Sequence, residues 1–182
     1  MTIYIALLRG INVSGQKKIK MEALRSMMCK LGFEAVTTYI QSGNIVFKAN
    51  SPDSEFLQQS IERHIEITFG HEVPVLVLSI KELTRILDLN PYREPDTVDL
   101  AKLYYVLLFH KPAQERIVAF NSEKFDNERF AIANNCVYLS CEKGYGNAKL
   151  NNNLVERKLK VTATTRNHKT MIKLIEMANE VP

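Results

Sequence analysis

The densest chemistry in this chain lies within its first two dozen residues. Arg9, Lys17, Lys18 and Lys20 all precede the first acidic residue, Glu22, and Gly10 and Gly15 stand among them. Cations and glycines between an apolar run and a helical pattern are the ingredients of an anion site. The side chains attract charge, and backbone N–H groups can face phosphate oxygens near a helix N-terminus. The same composition also describes a solvated basic turn. Residues 10–17, GINVSGQK, invite comparison with the G-x-x-x-x-G-K-[ST] phosphate loop. They fail it, because Gln16 stands where the lysine belongs and Lys17 where a magnesium-binding hydroxyl belongs.

A second basic concentration follows late in the chain, where residues 149–173 hold seven Lys or Arg and one acid, Glu156. Within it, Thr165, Arg166 and Asn167 lie just before and into an apolar helical pattern. Asn167 suits a helix cap, and Arg166 offers a planar guanidinium to an oxyanion. Between two β-prone runs, Gln41, Ser42, Gly43 and Asn44 form a turn rich in hydrogen-bonding groups. Cys29, Cys136 and Cys141 carry no catalytic or zinc spacing and read as packing, and the four histidines are scattered. No metal and no cofactor are assigned. Tyr4, Tyr39, Tyr104, Tyr105 and Tyr138 fall on expected strands. They would stack on bases only from an open sheet face, and the RNA-recognition signature is missing.

The elements that must position these groups follow from periodicity. Residues 3–8 read as a buried strand, and Met21, Leu24, Met27, Met28 and Leu31 recur at helical spacing before a C-capping Gly32. Strands at 36–40 and 45–47 follow, then a helix capped by Asp53 or Ser54 and closed by Gly70, then a strand at 73–78. This βαββαβ order is the split βαβ unit. A short helix with Leu83, Ile86 and Leu87 and a breaker-rich stretch at 90–96 come next. The order then recurs, with strands at 103–109, 129–133, 137–140 and 162–165, helices at 113–120 and 153–159, and a last helix at 171–178. The expected fold is α+β: two linked ferredoxin-like (split βαβ) halves with antiparallel sheets. The expected organisation is a first half at 1–79, a short helix and linker at 80–100, and a second half with an extra C-terminal helix at 101–182.

Length and composition agree with this. The 182 residues are 46% hydrophobic and 24% charged, as globular chains are. No window approaches the roughly 20 apolar residues that span a bilayer, and the start is no signal peptide. Three cysteines fit a reducing compartment, so the expectation is a cytoplasmic protein with no membrane partner. A net charge of +4 would argue poorly for nucleic acid if evenly spread.

The strings LLRGINVSGQKKIKMEALR, TTYIQSGNIVF and ATTRN, in this order and separation, resemble the bacterial domain-of-unknown-function family numbered sixteen-ninety-seven. The resemblance implies two ferredoxin-like subdomains and no particular activity. Arg9, Gly10, Asn12, Gln41, Ser42, Gly43, Asn44, Thr165, Arg166 and Asn167 match the family pattern. Relatives often read Gly-Gly-Lys where this chain has Ser14-Gly15-Gln16, and Trp where it has His168.

The working expectation is one polar site for an anionic, phosphate- or carboxylate-bearing ligand. In it Arg9 and Arg166 hold the oxygens, Lys17, Lys18 and Lys20 steer, and Gln41, Ser42 and Asn44 select, with Gly10, Asn12, Thr165 and Asn167 alongside. Nucleic-acid binding, an enzyme acting on a phosphorylated metabolite, and a protein-interaction module are the alternatives. The sequence fixes neither turnover nor self-association.

Overall fold

The computed structural model describes residues 1–93 and 99–182, so part of the expected linker, 94–98, lies outside the described residues. The chain forms two compact units, one of residues 1–84 with 173–182 and one of residues 85–172.

The first unit carries β1 (Thr2–Leu8), α1 (Met21–Lys30), β2 (Glu34–Tyr39), β3 (Asn44–Ala49), α2 (Ser54–Phe69) and β4 (Val75–Ser79). The strands pair antiparallel in the order β2-β3-β1-β4, the split βαβ arrangement. Helix ends fall where local chemistry demands. After α1, the Gly32 N–H reaches Cys29 O (3.0 Å) and the Phe33 N–H reaches Met28 O (3.3 Å), a Schellman closure with Phe33 folded onto the core. The Asp53 carboxylate accepts the Glu55 and Phe56 N–H groups at the start of α2. α3 (Ile80–Asp88) follows β4 without a loop, its entry made by a capping box the sequence reading missed: the Ser79 N–H donates to Glu82 Oε2, and the Glu82 N–H to Ser79 Oγ.

The second unit repeats the plan with β5 (Leu103–Leu108), α4 (Gln114–Asn121), β6 (Glu128–Ala133), β7 (Cys136–Cys141), α5 (Asn152–Leu159) and β8 (Ala163–Asn167), ordered β6-β7-β5-β8. Even the bonds that end the first strand recur. Leu8 N–H donates to Gly43 O and Leu108 N–H to Asn135 O, each at 2.8 Å; Arg9 N–H donates to Pro74 O and Phe109 N–H to Thr162 O, each at 2.9 Å. The chain is thus α+β, with two similar four-stranded antiparallel sheets.

Alternate strand residues pack under the helices: Tyr4, Ala6, Leu8, Ile45 and Phe47 in the first unit, Val106, Leu108, Val137 and Leu139 in the second. The opposite faces are buried as well, since Ile5, Leu7, Val46, Tyr105, Leu107 and Tyr138 are all 0% exposed. Tyr4 is buried too, and Tyr104 stacks on Tyr145 at 4.8 Å, so these tyrosines make no open platform for bases.

One boundary differs from expectation in a way that matters for the site. β8 extends to Asn167 and α6 (His168–Asn179) begins at once, which puts Thr165, Arg166 and Asn167 on a strand. The Asn167 carboxamide oxygen accepts the Thr170 N–H at 2.8 Å, and this cap lets the chain turn from strand to helix without an intervening loop.

Candidate functional site

The connection from β1 to α1, residues 9–20, is a built structure. Val13 and Gln16 form an isolated antiparallel bridge, closed by Gln16 N–H to Val13 O at 3.0 Å, with Ser14 and Gly15 at φ 49° and 76°. Two central residues at positive φ make a miniature hairpin of the I′ kind, for which Gly is the natural occupant. This explains why a sequence resembling a phosphate loop is not one.

Asn12 clasps the base of the hairpin. At φ 55° its side chain accepts the Ile19 N–H (2.9 Å) and donates to Ile19 O (2.9 Å) and Gln41 O (2.8 Å). Buried Ile11 and Ile19 pin both ends of the loop in the core. Because Ile19 points inward, Lys18 and Lys20 on either side of it stand exposed in solvent. Lys17, at φ 43°, is half-buried and donates its ammonium group to Glu72 O at 2.5 Å. Arg9 is half-buried where β1 ends.

The bond from Asn12 to Gln41 joins this loop to the β2–β3 turn. There Asn44 is fully buried and its amide donates to Tyr39 O and Ser42 Oγ, so Asn44 and Ser42 bond within the turn while Gln41 stays exposed. Gly43, at φ 72°, has no room for a side chain: a Cβ would lie 2.6 Å from Leu8 Cβ and 2.9 Å from Ile11 Cδ1. Gly43 and Asn44 therefore serve the junction of turn and strand.

Thr165, Arg166 and Asn167 belong to the second unit. Arg166 pairs with Tyr105 in the β5–β8 ladder and is only 8% exposed. Its guanidinium donates to Thr164 Oγ1 and Thr165 O, both at 2.8 Å, and burial lowers its pKa to about 10. The Thr165 hydroxyl accepts from the Tyr145 hydroxyl (3.0 Å) and donates to Asn152 Oδ1 (2.9 Å), tying β8 to the start of α5. Beside Arg166, the Tyr105 hydroxyl meets His168 Nδ1 at 2.9 Å within the buried interior. Burial pushes Tyr105 up to about 12 and lowers His168, so the pair is a neutral phenol bonded to a neutral imidazole. Sequence reading missed this polar layer, because its members sit far apart along the chain and carry no motif.

Nucleophilic roles for the inner thiols find no support. Cys136 and Cys141 are 0% exposed; burial drives Cys136 well above the ordinary thiol range and Cys141 to about 11. Among the described residues, no three His, Cys, Asp or Glu gather as metal ligands would, and no helix is long and apolar enough to cross a membrane.

Comparison with known proteins returns fold and family. The structure of conserved bacterial protein SP0830 from Streptococcus pneumoniae superposes with a TM-score of 0.74, covering 97% of this chain and 98% of that one. At 23% identity the likeness is one of fold. No curated protein matches the sequence. Residues 1–138 match the family described as "Protein of unknown function (DUF1697)", which takes in the Asn12 clasp, the Gly43 junction, β5, β6 and the first half of β7, and the chain belongs to that family.

Proposed function

We propose that the loop of residues 9–20 binds an anionic ligand bearing a phosphate or carboxylate. The observation that carries this reading is strain held in place: Asn12, Ser14 and Lys17, three non-glycine residues within six positions, all adopt left-handed backbone. Asn12 adopts this region readily, but Ser14 and Lys17 each cost roughly 1 kcal/mol there, and strain of this kind concentrates where a loop is preorganised for a ligand.

The loop presents Lys18 and Lys20 in solvent beside the first turn of α1, a helix whose start has no side-chain cap. Its N–H groups and the two ammonium groups would share the anion. Lys17, tethered to Glu72 O, and half-buried Arg9 add positive potential, and the exposed Gln41 side chain would select among ligands. Thr165, Arg166 and Asn167 are engaged within β8 and the start of α6, so the reading rests on the first unit alone.

Thermal unfolding against nucleotides, sugar phosphates, acyl carboxylates and short single-stranded RNA and DNA tests it. A ligand at 100 times its Kd adds about 2.7 kcal/mol to stability. A selective, salt-tolerant shift that disappears in Lys18→Gln/Lys20→Gln supports the reading. Shifts confined to polyanions, falling steeply with salt, would move the assignment to nucleic acid. No shift with any anion refutes both.

A further inference from the structure

The second unit holds a buried polar layer around Tyr105. In the β5–β7 ladder Tyr105 stands directly opposite Tyr138, so both side chains lie on one face of the sheet, their ring centroids 5.8 Å apart. Asn90 belongs to the segment after α3, where its Oδ1 accepts the Tyr92 N–H at 2.9 Å. Burial, the largest influence on the Tyr105 phenol, pushes it up to about 12, and the neighbouring Asn90 amide pulls it back, which sets these two groups side by side. Tyr105 and Tyr138 are 0% exposed and Asn90 5%.

Two donors in this layer are unmatched. The Tyr138 hydroxyl and Asn90 Nδ2 are shut off from solvent, and neither has a hydrogen-bond partner among the described residues. Native interiors rarely leave a polar group so, because its desolvation is then uncompensated. The Cys136 thiol, two residues before Tyr138 on β7 and on the same face, lies beside the Tyr138 hydroxyl, but a thiol is a weak partner. The Tyr105 hydroxyl meets His168 Nδ1 at 2.9 Å, and whichever of the two donates, the phenol oxygen can accept one more bond. Two donors and one acceptor therefore remain around Tyr105.

We propose that one ordered water molecule is a fixed part of this layer, accepting from Asn90 Nδ2 and the Tyr138 hydroxyl and donating to the Tyr105 oxygen. Three bonds are the usual complement of a buried water. The surroundings favour a neutral guest. Arg93 acts on both Tyr105 and His168 and no carboxylate does, which disfavours a cation. Arg93 is itself paired with Asp88 at 2.7 Å, so its charge is already matched without an anion. The water ties Asn90, and with it the turn that Asn90 caps at Tyr92, to two strands of the sheet.

A crystal structure of the full chain grown in sodium bromide tests this directly. The expected result is a water peak within about 3.2 Å of Asn90 Nδ2, the Tyr138 hydroxyl and the Tyr105 oxygen, with no anomalous signal. Bromide at the site, direct bonds from Asn90 Nδ2 and the Tyr138 hydroxyl to protein groups, or ordered side chains with no peak between them would each overturn the proposal. Urea unfolding gives a second reading in Tyr138→Phe, Asn90→Ala and the double variant. Removing a hydroxyl that is buried and unmatched raises the urea midpoint, whereas removing one that a water satisfies lowers it. The midpoint is expected to fall in Tyr138→Phe, and the double variant to lose less than the sum of the single losses, because the shared water is lost only once. A midpoint that holds or rises, strict additivity, or coupling of Tyr138→Phe to Cys136→Ala in place of Asn90→Ala overturns it.

Discussion

Replacing Asn12 tests whether the 9–20 loop is built before any ligand arrives. The side chain makes three hydrogen bonds of 2.8–2.9 Å and the backbone sits at φ 55°. Partly exposed bonds contribute at the lower end of the usual range, so three of them are worth about 2 kcal/mol, and alanine in the left-handed region costs about 1 kcal/mol more. Asn12→Ala is therefore expected to lose about 3 kcal/mol and Asn12→Gly about 2, because glycine loses the bonds but tolerates the backbone. Urea unfolding reads the totals. Amide exchange at Ile19, whose N–H is bonded to Asn12 Oδ1, reads the clasp locally and should quicken at least tenfold in both variants. If Asn12→Ala lies within 0.5 kcal/mol of wild type and Ile19 exchange is unchanged, the loop is held by its apolar anchors alone. The strain argument for function then loses its premise.

Three further outcomes follow from the same structure. Gly43→Ala should lose about 2–4 kcal/mol, since the new Cβ meets Leu8 and Ile11 and the backbone is left-handed; a loss under 1 kcal/mol in urea unfolding would show the junction to be pliable. Iodoacetamide at pH 8 should label the folded chain once, at exposed Cys29, and three times after unfolding; a second label in the native state contradicts the burial of Cys136 and Cys141. His168 is lowered first by burial and then by the Arg93 cation. The unfolded chain thus takes up a proton near pH 6.5 that the folded chain refuses, and stability should fall as pH drops below about 6.5, by at most about 1.4 kcal/mol per unit. Urea midpoints at pH 7.5 and 5.5 should differ less in His168→Phe than in wild type, and equal pH dependence in the two would reject the assignment.

The fold was largely legible because each element carried its own signal. The apolar run at β1, the helical spacing from Met21 to Leu31 ending on Gly32, and the caps at Asp53 and Gly70 all act within a few residues. The site was legible only as composition. Lys18 and Lys20 were named as steering residues, and the structure leaves both exposed. Nothing local announced that Asn12 would bond to Gln41 O, 29 positions away, or that Arg166 would be buried in a ladder with Tyr105. Those contacts depend on strand register, which no short motif encodes. Asn12, Asn44 and Asn167 match the family pattern and were read as ligand contacts, and in the structure their side chains hold backbone.

The internal duplication separates what the scaffold requires from what was added to it. Both units end their first strand with the same pair of hydrogen bonds and pair their strands in the same order, so these features belong to the fold. The connection that follows differs. In the second unit residues 109–113 suffice to pass from β5 to α4, while the first spends residues 9–20 on the step from β1 to α1. The extra length contains the miniature hairpin, the three left-handed non-glycine residues, the Asn12 clasp and Lys17, Lys18 and Lys20. Shortening it toward the length used in the second unit should keep the topology and remove the left-handed residues. Retaining a costly loop where a cheaper connection exists on the same scaffold is what a binding role would require. A variant with residues 12–18 replaced by a two-residue Gly-Ser link should therefore fold and lose anion binding.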